Sequence, residues 1–215
     1  MIKRVIHTAI TLAVLLVSCR QDDLPDSMPT AHEGYVALRF SADIPAMQEV
    51  VTRSVDPDGG GVQDMTLFCF DSYGLFTTTV EAKVTPTGNG AGLTGNFEAE
   101  VPENTRTVHF LANQNMSEFK EDKFRNKSEA EVMALLEGSS GRMIYWARFT
   151  CDPDNDSKID AQMADKGNTI KMIRNHAQVS IDNPINGWIE VTGFVAYNTN
   201  AFGTVAPYHP EKGFD

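Results

Sequence analysis

Apolar and polar residues alternate along much of the chain in short runs that end at turn-forming residues. In residues 35–41, Val36, Leu38 and Phe40 recur at every second position, which places them on one face of a β-strand. Residues 65–70 are almost continuously apolar, as is typical of a strand with both faces buried. The pattern therefore predicts two strands in the first part of the folded region.

Several later segments of the chain also have the pattern of β-strands. Residues 71–74 (DSYG) form a predicted turn, after which residues 75–84 return as the hairpin partner of the preceding strand. A turn beginning at Pro102 separates two more predicted strands, at residues 96–101 and 107–112. The remaining predicted strands cover residues 143–150, 169–173, 177–181 and 188–197.

One segment has the period of a helix instead. Ser128 and Glu131 have the spacing of a capping box, in which each side chain bonds a backbone N–H at the helix start. Apolar residues follow at helical spacing, and Gly138 marks the expected end, so a helix is predicted at residues 129–137. Many short strands, frequent turns and one short inserted helix predict a mainly β protein, an antiparallel, Greek-key-like β-sandwich.

The N-terminal residues have the features of an export signal. Two basic residues precede an apolar run at residues 9–17, which is shorter than the roughly 20 apolar residues of a membrane-spanning helix. Residues 16–19 (LVSC) resemble the bacterial lipobox, whose cysteine receives a diacylglycerol on sulfur before cleavage. We therefore predict a lipoprotein signal peptide at residues 1–18 and a lipid anchor on Cys19. An ordinary secretory signal with a coincidental cysteine is the alternative.

The segment after the predicted cleavage site is polar and acidic. Asp22 and Asp23 resemble the acidic export signal of bacterial surface lipoproteins, and Asp, Pro, Ser and Thr dominate the following residues. We predict a lipid-anchored acidic tether at residues 19–34 and a β-sandwich domain at residues 35–215.

The charge of the chain limits its partners. The 29 acidic and 18 basic residues give a formal net charge of −11, which becomes −13 when Lys3 and Arg4 leave with the signal peptide. No basic stripe is present to neutralise phosphates, which argues against a nucleic-acid partner. The same charge argues against electrostatic binding to a membrane surface, so the lipid must provide the anchor.

Sequence motifs of an enzyme or a cofactor site are absent. His32, His109, His176 and His209 have no metal-ligand spacing, and residues 59–61 (GGG) lack the Lys-Ser/Thr of a phosphate-binding loop. No Gly-x-Ser-x-Gly elbow occurs either. We therefore expect no catalytic residue and no cofactor, and we interpret His109 as a packing or edge residue of a strand.

One acidic loop has part of a calcium-binding pattern. Residues 152–160 place carboxylates at alternate positions, but Ser157 stands where a turn glycine is needed. Met163 stands where the closing bidentate glutamate should be, so we expect no metal and favour a solvated hairpin loop. Cys69 and Cys151 are interpreted as two buried free thiols, although their compartment would permit a disulfide.

Three segments together resemble the N-terminal domain of the fimbrillins, the type V pilins of Bacteroidetes. Residues 70–76 (FDSYGLF) resemble the family's Phe-Asp-x-x-Gly element, and residues 110–114 (FLANQ) its strand ending in Ala-Asn. Residues 172–179 (MIRNHAQV) resemble its Leu-x-Arg-x-x-Ala-Lys stretch, with Gln178 in place of the lysine. The segments occur in the family's order, and the resemblance covers most of residues 19–207.

The resemblance implies a route of assembly. A fimbrillin precursor reaches the outer-membrane surface as a lipoprotein, and an arginine-specific protease cuts the loop after its first strand. Arg53 occupies that loop here, so a cut would remove the strand that carries Val36, Leu38 and Phe40. A strand from another fimbrial subunit would replace it by β-strand addition. The alternative for Arg53 is an ordinary exposed loop arginine.

The family usually has a second sandwich domain that supplies the donor strand, so residues 35–215 are expected to be a truncated N-terminal part. The resemblance therefore implies a structural or accessory fimbrial subunit that contributes to adhesion. The alternative is a non-polymerising surface lipoprotein, either a fimbrial anchor or a module that binds a glycan or protein on a host or bacterial surface.

Overall fold

The structure, a computed structural model, describes residues 31–44, 62–86, 95–117, 119–138, 143–175, 193, 195, 203–209 and 211–214. Its strands are β1 (Tyr35–Asp43), β2 (Met65–Phe70), β3 (Phe76–Glu81), β4 (Lys83–Pro86), β5 (Gly95–Pro102), β6 (Thr107–Ala112), β7 (Tyr145–Thr150), β8 (Thr169–Lys171) and β9 (Ile173–Arg174). Its helices are α1 (Glu129–Ala134) and α2 (Ile159–Asp165), with a 3-10 turn at Glu121–Lys123.

These strands form two sheets that face each other. Sheet A has the order β4-β5-β1-β8, and sheet B has the order β3-β2-β6-β7-β9. The ring of Phe40 in sheet A meets the ring of Phe110 in sheet B at 4.9 Å between centroids. The predicted mainly β sandwich is therefore confirmed. One pairing departs from the antiparallel pattern, because β1 and β8 run parallel.

Sheet B is buried on both faces, which explains the continuous apolar run of β2. Leu67 and Cys69 point into the core between the sheets, whereas Phe68 and Phe70 point to the other face. That outer face is covered by apolar residues of α1, the 3-10 region and residues 203–214. The covering residues include Phe124, Val132, Leu136, Val205 and Ala206. The sheet thus needs apolar residues at consecutive positions.

Two segments that the sequence predicts as single strands each cross from one sheet to the other. Residues 75–84 divide at Ala82 into β3 of sheet B and β4 of sheet A, and residues 169–173 divide at Met172 into β8 and β9. Both crossing residues are buried, and each donates its backbone N–H to another part of the sandwich. The prediction of one strand in each segment is wrong. The sequence shows no break there, because a crossing of a single residue leaves the alternation of apolar and polar positions almost unchanged.

Helix α1 begins as the capping box predicts and ends earlier. The hydroxyl of Ser128 accepts from the backbone N–H of Glu131 at 3.4 Å, and the Ser128 backbone N–H donates to the Glu131 carboxylate at 2.8 Å. The helix ends at Ala134 rather than at residue 137. Gly138 is not its cap, since its backbone N–H donates to the carbonyl oxygen of Gly203 at 2.8 Å. The unwound turn buries Leu136 completely.

The loop predicted after β7 is present at residues 151–158, and an unpredicted second helix follows it directly. Helix α2 begins at Ile159, within the acidic segment, and buries Ile159 and Met163 in the core between the sheets. Gln162 holds the preceding loop: its amide oxygen accepts from the backbone N–H of Asp152, and its amide nitrogen donates to the carbonyl oxygen of Ser157. The apolar pair at i and i+4 was the available sequence signal, and the acidic pattern obscured it.

Candidate strand-exchange site

Strand β1 carries the residues that the resemblance to fimbrillins marks as a displaceable strand. Val36, Leu38 and Phe40 are 6%, 1% and 3% exposed, so their side chains lie in the core, as the alternation predicts. Ala42 continues the same face. Arg39 points outward and pairs with Glu98 of β5 at 3.3 Å between Nε and Oε1. One side of β1 therefore forms core, and the other faces solvent.

Phe40 makes the main aromatic contacts between β1 and the rest of the core. Its ring stacks on Phe97 of β5, with centroids 5.3 Å apart and planes inclined by 14°. It also meets Phe110 of β6 edge to face at 4.9 Å. Phe97 and Phe110 are fully buried, so Phe40 links the two sheets through contacts within one aromatic cluster.

The backbone of β1 is held unevenly along its length. It pairs with β5 from Tyr35 to Ser41, but with β8 only from Ser41 to Asp43. The Ser41 backbone N–H donates to the carbonyl oxygen of Asn168 at 2.8 Å, which adds a bond at the same end. Among the described strands, β5 alone pairs with the first six residues of β1, so one edge of that stretch has no described strand partner.

Two predicted site residues, Cys19 and Arg53, lie outside the described part of the chain. The signal peptide, residues 19–30 of the tether, the predicted strand at residues 177–181 and all but residues 193 and 195 of the predicted strand at residues 188–197 lie outside it as well. Ile44 and Val62 are the described residues on either side of the segment that contains Arg53. Lipidation at Cys19 and cleavage at Arg53 therefore stay predictions.

A buried polar cluster lies on the outer face of sheet B. His109 of β6 is fully buried, and its Nε2 donates to Oε1 of Glu129 at 2.6 Å. Its Nδ1 accepts from the indole N–H of Trp146 at 2.9 Å, so these two bonds hold a neutral imidazole with the proton on Nε2. Burial lowers the pKa of His109, and Glu129 opposes that shift only in part. The interpretation as a packing residue is confirmed, although His109 lies inside the sheet and not at its edge.

Glu129 links this histidine to Arg148. Both the Nε and the Nη2 of Arg148 donate to the Glu129 carboxylate. Burial raises the pKa of Glu129, but the hydrogen bonds from His109 and Arg148 outweigh it and hold that pKa below its ordinary value. The ring of Phe214 covers the cluster at 4.9 Å from the imidazole centroid. No local sequence pattern marks this cluster, because its members come from distant segments.

An open groove of about 350 Å³ lies beside the cluster. The groove is lined by Glu129 and Arg148 and by the exposed rings of Tyr73 and Tyr208. Among the described residues, no group of three or more His, Cys, Asp or Glu side chains could hold a metal ion. The same residues include no helix that is long and apolar enough to cross a membrane.

The two remaining cysteines are free and buried, as the sequence analysis favours. Burial raises the pKa of the Cys69 thiol to about 12. Burial also raises the pKa of Cys151, while the nearby Arg106 opposes the shift. Both thiols are therefore protonated at neutral pH, which makes them poor nucleophiles.

Comparisons with known proteins give one structural similarity. A crystal structure of a fimbrial assembly protein from Parabacteroides distasonis ATCC 8503 is similar to this chain with a TM-score of 0.31 and 13% sequence identity. The similarity covers 65% of this chain and 54% of that chain, so the chain spans about half the length of the protein it matches. No protein-family model matches the sequence, and no curated protein matches it.

Proposed function

We propose that this chain is a structural or accessory subunit of surface fimbriae, assembled by exchanging β1 for a strand of another subunit. The observation that supports the proposal is the way β1 packs into the core and pairs with its neighbours. Three large side chains of one strand fill the centre of the core, while the first six residues of that strand pair with β5 alone among the described strands. A strand of another subunit could make the same hydrogen bonds and place its own apolar side chains in the same core positions.

The energetic argument concerns what the domain loses when β1 leaves. Val36, Leu38 and Phe40 each contribute roughly 1.5–3 kcal/mol by burial. A single domain has a net stability of only about 5–15 kcal/mol. Loss of β1 would therefore leave a barely stable domain with an open groove beside β5. The free energy released when a donor strand fills the groove would then drive assembly.

Anchoring at the outer-membrane surface is the second part of the proposal, and it rests on Cys19. We expect Cys19→Ala to abolish incorporation of a fatty-acid analogue, because the lipobox places the diacylglycerol on that sulfur. Metabolic labelling followed by immunoprecipitation measures this. Cys69→Ala is the matched control, since that thiol is buried in the core. Labelling that persists in Cys19→Ala would contradict the anchor.

Cleavage at Arg53 is the third part. We expect an arginine-specific protease to cut the folded chain at Arg53, and the cut chain to bind another subunit or a synthetic donor strand. Mass spectrometry locates the cut, and thermal melting follows the loss of β1. The Arg53→Lys chain should resist this protease. The Arg39→Lys chain is the control and should still be cut at Arg53, because Arg39 lies within a paired β-strand and is not the expected cleavage site.

The alternative function predicts the opposite result. If the folded chain resists cleavage, or if the cut chain stays monomeric and equally stable with donor present, strand exchange is excluded. The chain would then be a non-polymerising surface lipoprotein, either a fimbrial anchor or a binding module. In that case the groove with Tyr73 and Tyr208 is the surface to test for glycan or protein ligands, since exposed aromatic rings beside charged groups suit such contacts.

A further inference from the structure

The four described sheet edges are unequally protected against pairing with another strand. In sheet A, β4 is short and carries Lys83 and Pro86, and β8 has only three residues. In sheet B, β9 has only two residues. Short strands, lysine and proline at an edge all discourage strand addition. These three edges therefore carry recognised forms of protection.

Strand β3 carries less of this protection. It is six residues long and contains no proline or glycine, and its one charged residue is Glu81 at its end, after the uncharged run Phe76–Val80 (FTTTV). It is the edge strand of sheet B, so no described strand pairs with its other side. A long, uncharged run of β-branched residues at an edge is a template for another strand.

At the start of this edge the Phe76 backbone N–H already donates to the carbonyl oxygen of Lys127 at 2.9 Å, and a single carboxylate covers the residues that follow. Oε1 of Glu121 accepts from the backbone N–H of Thr79 at 3.0 Å and from the hydroxyl of Thr78 at 2.6 Å. The Thr79 backbone N–H therefore points away from β2 and toward the place that an added strand would occupy. Glu121 satisfies the donor that an incoming strand would need.

The carboxylate is held in position by the outer apolar cluster. Glu121 begins the 3-10 turn, and Phe124, just after that turn, is fully buried. Its ring meets Phe68 at 5.5 Å and Phe76 at 5.4 Å between centroids. The turn is thus fixed to the same strands whose edge it covers, while Glu121 itself is exposed.

We propose that Glu121 blocks strand addition at β3, and that an uncovered β3 edge pairs with β3 of a second copy of this chain. A second copy fits because an antiparallel pair of two Thr77–Thr79 runs, which follow the residue bonded to Lys127, places threonines opposite one another and brings no like charges together. In the intact protein the block leaves β1 as the place where a strand can be exchanged. The inference does not depend on that exchange, because the β3 edge exists whether or not β1 is replaced.

The test measures self-association of the full-length chain purified in detergent. Glu121→Ala removes the blocking oxygen without opening the core, because the side chain is exposed. Sedimentation velocity over a concentration series should show dimers, with a dimer dissociation constant at least about tenfold below that of the unaltered chain. Glu121→Gln keeps an oxygen acceptor and should remain monomeric.

Asp122→Ala is the matched charge control. It removes the same charge from the neighbouring residue, whose carboxylate bonds Arg125 rather than β3, and should remain monomeric. Hydrogen exchange of residues 76–81 gives a second measurement. The Thr79 amide should exchange faster in dilute Glu121→Ala and slow again as dimers form. Circular dichroism checks folding, and Glu121→Ser replaces the alanine variant if that variant unfolds.

Each outcome decides the point. Dimers in Glu121→Ala alone, with protection returning at residues 76–81, support the proposal. Monomers in every variant overturn it. Dimers in Asp122→Ala as well overturn it too, because reduced charge and not the uncovered edge would then be the cause.

Discussion

Phe40→Ala is expected to lower the free energy of unfolding by about 3–5 kcal/mol, as large truncations of buried aromatic residues do. The ring is 3% exposed and contacts Phe97 and Phe110, so its removal leaves a cavity between the two sheets. Neither neighbour can fill the cavity without giving up its own contacts. A loss of this size is a large fraction of the stability of a single domain.

Chemical denaturation of the full-length chain measures this effect. Arg39→Ala, in the same strand, is the control and should change stability by less than about 1 kcal/mol, because its ion pair with Glu98 is exposed. A loss below about 1.5 kcal/mol for Phe40→Ala would show that β1 is not a core strand. In the exchange proposal, a donor peptide with an apolar residue at this position should restore stability to the protease-cut chain, and an alanine peptide should not.

Acidification below about pH 6.5 is expected to destabilise the fold through His109. The buried imidazole is held neutral, because its Nδ1 accepts from Trp146 and a proton there would oppose the indole N–H. Burial lowers its pKa in the folded chain, with Arg148 acting in the same direction and Glu129 in the opposite one. Phe70 and Phe214 complete the apolar surroundings.

The direction follows from which state binds the proton. Between the lowered folded pKa and the ordinary unfolded value, the unfolded chain takes up a proton that the folded chain excludes. The free energy of unfolding is therefore greatest above the unfolded pKa of His109. It falls as the pH decreases toward the folded pKa, by at most about 1.4 kcal/mol per pH unit for one proton.

Denaturation between about pH 5 and 7.5, the range in which histidine titrates, tests the expectation. His109→Gln, which cannot titrate, should remove most of the slope. His32→Gln is the contrasting control, because the side chain of Glu100 raises the pKa of that exposed histidine. Its stabilisation is present below the unfolded pKa and is lost as the pH rises. An unchanged slope in His109→Gln would exclude His109 as the cause.

Much of the fold could be read from local pattern. The alternation in β1, the continuous apolar run of β2, the strand at residues 107–112 and the capping box at Ser128 each follow from neighbouring residues, and each is present. These features depend on the period of side chains along one segment, which the sequence displays directly. The inward direction of Val36, Leu38 and Phe40 follows from the same period.

The predicted element boundaries are wrong where a segment packs against a part of the chain that is distant in sequence. The alternation of residues 75–84 fits one strand, yet the chain passes from sheet B to sheet A at Ala82. Helix α1 ends early because Leu136 turns into the outer cluster. The acidic run before α2 correctly predicts a loop but gives no sign of the helix that follows, which buries Ile159 and Met163 in the core. In each case burial against a distant element overrode the local signal.

By itself, the sequence determined the class of the fold, the inward face of β1 and the start of α1, because each is a matter of spacing between near neighbours. Only the tertiary structure decided that His109, Glu129 and Arg148 share one buried cluster, and that Glu121 reaches Thr79 at the edge of β3. Those contacts join residues 19 to 42 positions apart along the chain. Spacing along the chain carries no record of them, since they form only when packed sheets bring distant segments within hydrogen-bond distance.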